Sequence, residues 1–151
     1  MVDFSKRLTR KIVEKKINPI EIYSTLDRAS DKGPLRPVQE KILDMWFNEF
    51  QEKKDVILKM HTGQGKTLTG LLILQSKLNQ DQGPALYLCH NNHLIEQTCK
   101  QAESFGINYC TVDREIPDDF IDGKSILITS VQKLFNGESK FKLGPKSLPV
   151  S

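Results

Sequence analysis

Between Asp55 and Asn79 the hydrophobic period changes twice, and this limits the fold more than any other stretch of the chain. Asp55–Met60 reads D-V-I-L-K-M: short, β-branched at its start and bounded by polar residues, the composition of a buried strand. Met60–Thr67 reads M-H-T-G-Q-G-K-T, a glycine-rich turn. Leu68, Leu71, Leu72, Gln75 and Leu78 then fall at helical spacing. A strand, a tight glycine turn and an apolar helix in succession demand an α/β architecture in which both faces of a sheet are covered.

The rest of the chain continues the alternation. Ala85–Cys89 reads as strand, Asn92–Phe105 as helix, and Ile107–Thr111 and Ser125–Thr129 as strands. Strands alternating with helices predict a parallel sheet joined by right-handed crossovers. Upstream, Val38, Ile42, Met45, Trp46 and Phe50 form one stripe of a helix beginning at Pro37. Phe4, Leu8, Ile12 and Ile17 predict an amphipathic helix, and Asn18-Pro19 restarts the chain as a capped helix over Ile20–Leu26. Ser30-Asp31-Lys32-Gly33-Pro34 is a loop by composition. It divides a helical extension, residues 1–33, from a main unit, residues 34–151.

Composition narrows the class. The 151 residues carry 22 basic and 19 acidic side chains, with 38% hydrophobic and 27% charged residues, ordinary globular usage that excludes collagen-like repeats and wholesale disorder. No stretch approaches the ~20 consecutive apolar residues that a bilayer requires, so no membrane partner is expected. Charges between Arg10 and Lys16 interrupt any secretory h-region, and a cytoplasmic location is expected. Cys89, Cys99 and Cys110 have no framework spacing and are read as reduced thiols. The net charge of +3 is uneven: Met1–Lys16 sums to +4 and the remainder to −1. Any contact with a polyanion would therefore come from placed loops and the N-terminal helix rather than from bulk charge.

The glycine turn carries the sharpest chemistry. A polyphosphate at a helix N-terminus meets unpaired backbone N–H groups and the positive end of the helix dipole. Gly63 and Gly65 let the backbone wrap closely, and Thr62, Gln64 and Leu68 add N–H groups around them. Lys66 is placed to reach the β- and γ-phosphates, and Thr67 to ligate Mg²⁺ through its hydroxyl. These two are the candidate catalytic residues, with Thr67 the candidate metal ligand. The strict Walker pattern wants a glycine where Met60 stands, so the match departs by one residue.

The G-x-G-K-T spacing and its flanks resemble the N-terminal RecA-like domain of superfamily 2 DEAD/DEAH-type helicases and translocases. Leu35-Arg36-Pro37-Val38-Gln39, 27 residues ahead of Lys66 at its Gln, is similar to that family's R-P-x-Q element. The resemblance places Arg36 and Gln39 beside the nucleotide; an amide offers the donor and acceptor that match the N6/N7 edge of adenine. Tyr87–Gln97 is similar to motif Ia, with Leu94 and Gln97 at the usual L-x-x-Q and His90-Asn91 replacing the usual Pro-Thr. Ile128–Leu134 resembles motif Ic. By this resemblance His90, Asn91, Asn92, Gln97, Thr129 and Ser130 hold a nucleic-acid backbone. It implies an incomplete RecA-like phosphate-loop domain, ATP and Mg²⁺ as cofactors, DNA or RNA as partner, and coupling of hydrolysis to movement.

Two competing clusters carry less. Cys89, His90, His93 and Cys99 lack the C-x₂₋₄-C pairs of structural zinc sites, and adjacent strand residues emerge on opposite sides, so no structural zinc is expected. Asp118-Asp119, read as lying in a loop, has no apolar strand leading into it and does not fit the family's acidic motif. Neither that motif nor a second RecA-like domain is read within these 151 residues, so the chain by itself is expected to bind ATP weakly and hydrolyse it negligibly. Two other readings stay open: a different phosphate-loop NTPase, and a non-catalytic nucleic-acid-binding or partner-binding module derived from a helicase domain.

Overall fold

The computed structural model describes residues 16–26, 32–61, 63, 65–112 and 115–136, side chains excepted at 134–136. The amphipathic reading of Phe4–Ile12 lies outside them. The first described helix, α1 (Pro19–Thr25), starts as its sequence dictates: Asn18 Oδ1 accepts from the Ile20 N–H at 3.0 Å, and Pro19 occupies the first turn. Helix α2 (Pro37–Met45) also begins on proline and runs into a single π-helical turn, Trp46–Phe50. Its buried stripe is rotated from the expected one. Gln39, Leu43 and Trp46 face inward at i, i+4 and i+7, while Met45 is 42% exposed. A polar side chain thus takes a core-facing position, for a reason that emerges at the glycine turn.

Helix α3 (Lys66–Asn79) is the centre of the packing. Leu71 and Leu72 have no exposed surface and share one hydrophobic core with Leu43 of α2, Ile22 of α1 and the sheet residues Ile126 and Ile128. The sheet comprises β1 (Leu86–Cys89), β2 (Tyr109–Cys110) and β3 (Ile126–Ser130), all parallel, in the order β1-β3-β2. Helix α4 (Asn92–Phe105) carries the chain from β1 to β2, and one-turn helix α5 (Asp118–Ile121) precedes β3. Asp118 and Asp119 therefore open a short helix instead of lying in a loop. The terminal described element, α6 (Val131–Asn136), follows β3 directly.

Strand period explains the two cores. On β3, Ile126 and Ile128 face the helices, while Leu127 turns to the opposite face with Leu86 and Phe120. All five β3 residues are buried, as expected for a central parallel strand covered on both faces. The result is a small α/β unit with a three-stranded parallel sheet flanked by helices, an incomplete RecA-like arrangement. No described helix is long and apolar enough to cross a membrane.

One expected strand is absent from this sheet. Residues 55–60 are unassigned to any strand, and Ile57 is 86% exposed. A β-branched run favours an extended backbone, but a strand also needs a neighbour for its N–H and C=O groups. Here a cavity of about 500 Å³, lined by Val56, Leu58, Ile73, Leu74, Tyr87 and Leu88, lies between the segment and β1. The ladder that would make 55–60 a strand is not formed.

Candidate functional site

The glycine turn delivers the chain into α3 with its N-terminus exposed. Gly63 (φ +86°) and Gly65 (φ +76°) are both left-handed, a conformation costly for residues with a Cβ. Thr69 makes the first helical bond: its N–H donates to the Gly65 carbonyl at 3.2 Å, and its hydroxyl donates to the same oxygen at 3.0 Å. The N–H groups of Lys66, Thr67 and Leu68 stand ahead of that bond, where a helix has no internal acceptor for them. Lys66 is exposed and Thr67 half-buried, while Leu68 anchors the turn to the core. Thr62 and Gln64 lie outside the described residues.

Two side chains of the α2 entry fasten this turn from behind. Gln39 is only 4% exposed; its Oε1 accepts from the Arg36 N–H at 2.9 Å, and its Nε2 donates to the Gly65 carbonyl at 3.2 Å. Arg36 Nη1 donates to the Gly63 carbonyl. Both glycines the sequence singles out are thus held through their carbonyl oxygens. That explains why Gln39 takes an inward position on α2. An amide oxygen has a second lone pair and an amide nitrogen a second hydrogen, so each end keeps capacity for another partner.

Two cavities open on the turn. One, of about 500 Å³, is lined by Leu58, Lys59, Met60, His61 and Lys66. The other, of about 420 Å³, is bordered by Arg36, Gln39, Gly63, Gly65, Leu68 and Phe105 among others. A cation on the first side and an amide with a guanidinium on the second suit the phosphate and base ends of a nucleotide respectively. Next to them burial raises the pKa of the Tyr87 phenol, and the neighbouring Thr67 side chain opposes the rise.

At the C-terminal end of the sheet, His90, Asn91, Asn92 and Gln97 are all exposed. Asn91 caps α4, accepting from the Leu94 N–H at 2.9 Å, and Gln97 Nε2 lies 3.2 Å from His93 Nε2. Cys89 faces the core instead, its Sγ 3.5 Å from Thr98 Oγ1. Cys89 and Ser130 pair in register, so the β1 and β3 ends adjoin. Thr129 and Ser130 are buried, however: Thr129 Oγ1 has no hydrogen-bond partner among the described residues, and Ser130 Oγ accepts from the Lys133 N–H at 3.2 Å. Their hydroxyls are inside, where they shape the strand end rather than present a surface. The sequence alone does not single out Phe105 or Tyr23, which border the 420 Å³ cavity; aromatic residues at helical spacing look like ordinary core.

No curated protein and no solved structure matches the chain. A family model, type III restriction enzyme, res subunit, matches residues 32–147, which take in the α2 entry, the glycine turn, α3, the sheet and the candidate surface at its C-terminal end. The chain therefore belongs to the type III restriction enzyme res subunit family, a superfamily 2 helicase-like ATP-binding module.

Proposed function

We propose that the chain binds ATP with Mg²⁺ at the turn between residues 60 and 67, as the ATP-binding part of a nucleic-acid helicase or translocase. Lys66 would neutralise the β- and γ-phosphates, the first N–H groups of α3 would cradle them, and Thr67 would hold the metal. Thr62 and Gln64 would contribute backbone around the same phosphates. Arg36 and Gln39 would contact the base, using the hydrogen-bonding capacity of guanidinium and amide left after they brace the turn. Mg²⁺ would offset phosphate charge during transfer. Residues 34–151 form the motor-derived unit in this reading and residues 1–33 an extension of it.

The observation that carries the proposal is the left-handed Gly63 and Gly65 pair at the start of a 14-residue helix, tied by Arg36 and Gln39. The exposed His90, Asn91, Asn92 and Gln97 would hold a DNA or RNA backbone, with Thr129 and Ser130 supporting the strand end. Titration with ATP in the presence of Mg²⁺ tests the nucleotide site: Lys66→Ala weakens binding at least tenfold. Equal affinity for the variant and the parent chain would overturn the assignment. Single-strand binding that falls steeply with salt tests the second surface.

A further inference from the structure

Helix α1 precedes the span matched by the family, yet it is built into the helix that starts at Lys66. Ser76 Oγ of α3 donates to the Ile17 carbonyl, and Asn79 Nδ2 donates to the Lys16 carbonyl at 2.6 Å. Ile22 and Tyr23 are buried in the main core. Tyr23 then reaches the other way: its hydroxyl donates to the Gly33 carbonyl at 2.6 Å, and its ring lies 5.9 Å from that of Phe105, tilted by 52°.

Gly33 has φ +77°, a turn that glycine adopts without strain. Three residues later comes Arg36, and prolines at 34 and 37 stiffen the strap between. Arg36 and Gln39 in turn hold the carbonyls of Gly63 and Gly65. An unbroken series of contacts therefore runs from the Tyr23 hydroxyl to the glycine turn, along the wall of the 420 Å³ cavity.

We infer that Tyr23 is a positioning residue for the base side of the nucleotide site: its hydroxyl fixes the Gly33 turn, and through it the approach of Arg36 and Gln39. The inference rests on the nucleotide reading above and extends that site into a helix ahead of the family span. It separates two ligand classes. A nucleoside triphosphate uses both the base side and the phosphate turn, whereas inorganic tripolyphosphate uses the turn alone.

Tyr23→Phe keeps the ring, its burial and its contact with Phe105, and removes only the hydroxyl. The full chain carrying it should bind Mg·ATP about three- to tenfold more weakly, the range for one part-buried hydrogen bond. Its affinity for Mg·tripolyphosphate should stay within about twofold of the parent. Unchanged ATP affinity would overturn the inference, as would equal weakening for both ligands, which marks a general loosening of the fold. Lys66→Ala in the same titrations must weaken both ligands. If it weakens neither, the nucleotide reading falls and the inference with it; if it weakens both while Tyr23→Phe changes nothing, only the role of Tyr23 falls.

Discussion

Gln39 and Gly65 occupy each other's space: the Gln39 Nε2 donates to the Gly65 carbonyl at 3.2 Å, and a Cβ built on Gly65 would lie 2.1 Å from that nitrogen. The glycine is required twice, by its left-handed φ and by the amide packed against it. Gly65→Ala must therefore expel Gln39 or distort the turn. We expect a loss of stability on the order of 1–3 kcal/mol together with a loss of ATP binding. Gly63→Ala has open space around its Cβ and meets only the φ cost, so it should be the milder change. Thermal unfolding of the two variants checks the order, and a milder Gly65 variant would contradict the packing argument.

The second face of the sheet depends on one ring. Phe120, 1% exposed, packs with Leu86 and Leu127, and the partly buried Leu88, Cys110, Val112 and Ile116 surround that group. Truncating a buried aromatic residue costs about 3–5 kcal/mol through lost transfer energy and the cavity left behind. For a marginally stable domain that is a large share of the total. Phe120→Ala should leave the chain largely unfolded at 37 °C, and circular dichroism would show it; a cooperative transition near that of the parent would mean that this face is not part of the core.

The legible part of the sequence is that in which the cause is local. Asn18-Pro19 sets α1, Asn91 caps α4, and Gly106 (φ +76°) stops α4, all by contacts within a few residues. The alternation around β3 and the glycine turn are local patterns too. Residues 55–60 show where this fails: the apolar run specifies an extended backbone, but pairing depends on a distant neighbour that no local pattern encodes. The α2 stripe misled for a related reason. Hydrophobicity placed Met45 inside, whereas Gln39 goes inside because Gly65, 26 residues later, supplies its acceptor. Tyr23 and Phe105 were invisible as cavity residues because their pairing joins α1 to the end of α4.

Cys110 provides a test by pH. Burial, assisted by nearby Asp119 and Cys99, pushes its thiol up to about 11. The folded chain therefore holds this proton more tightly than the unfolded chain does. The contribution to stability is complete below the ordinary thiol range, about pH 8.5, and is lost as pH rises towards about 11. Alkylation of native protein at pH 8 should modify Cys110 more slowly than an unperturbed thiol, with a rate still rising above pH 10. Peptide mapping identifies the site. An inflection near pH 8.5 for Cys110 would show that its thiol is not perturbed as the packing requires.

Thr129 gives the sharpest distinction between a structural and a contacting role. It has no exposed surface, and its Oγ1 has no hydrogen-bond partner among the described residues, although it stands near the end of the strand where a nucleic-acid contact was expected. A buried hydroxyl left unpaired costs about 1–3 kcal/mol, and an apolar group of the same shape avoids that cost. Thr129→Val preserves volume and branching while removing the orphaned oxygen. If the hydroxyl is simply buried, the variant is as stable as the parent or more stable by about 1 kcal/mol, and its binding to single-stranded nucleic acid is unchanged. If strand opening exposes Thr129 to a phosphate, the same variant gains stability but loses nucleic-acid affinity. Urea unfolding and a filter-binding titration on one preparation separate the two, because only the contacting role makes stability and affinity move in opposite directions.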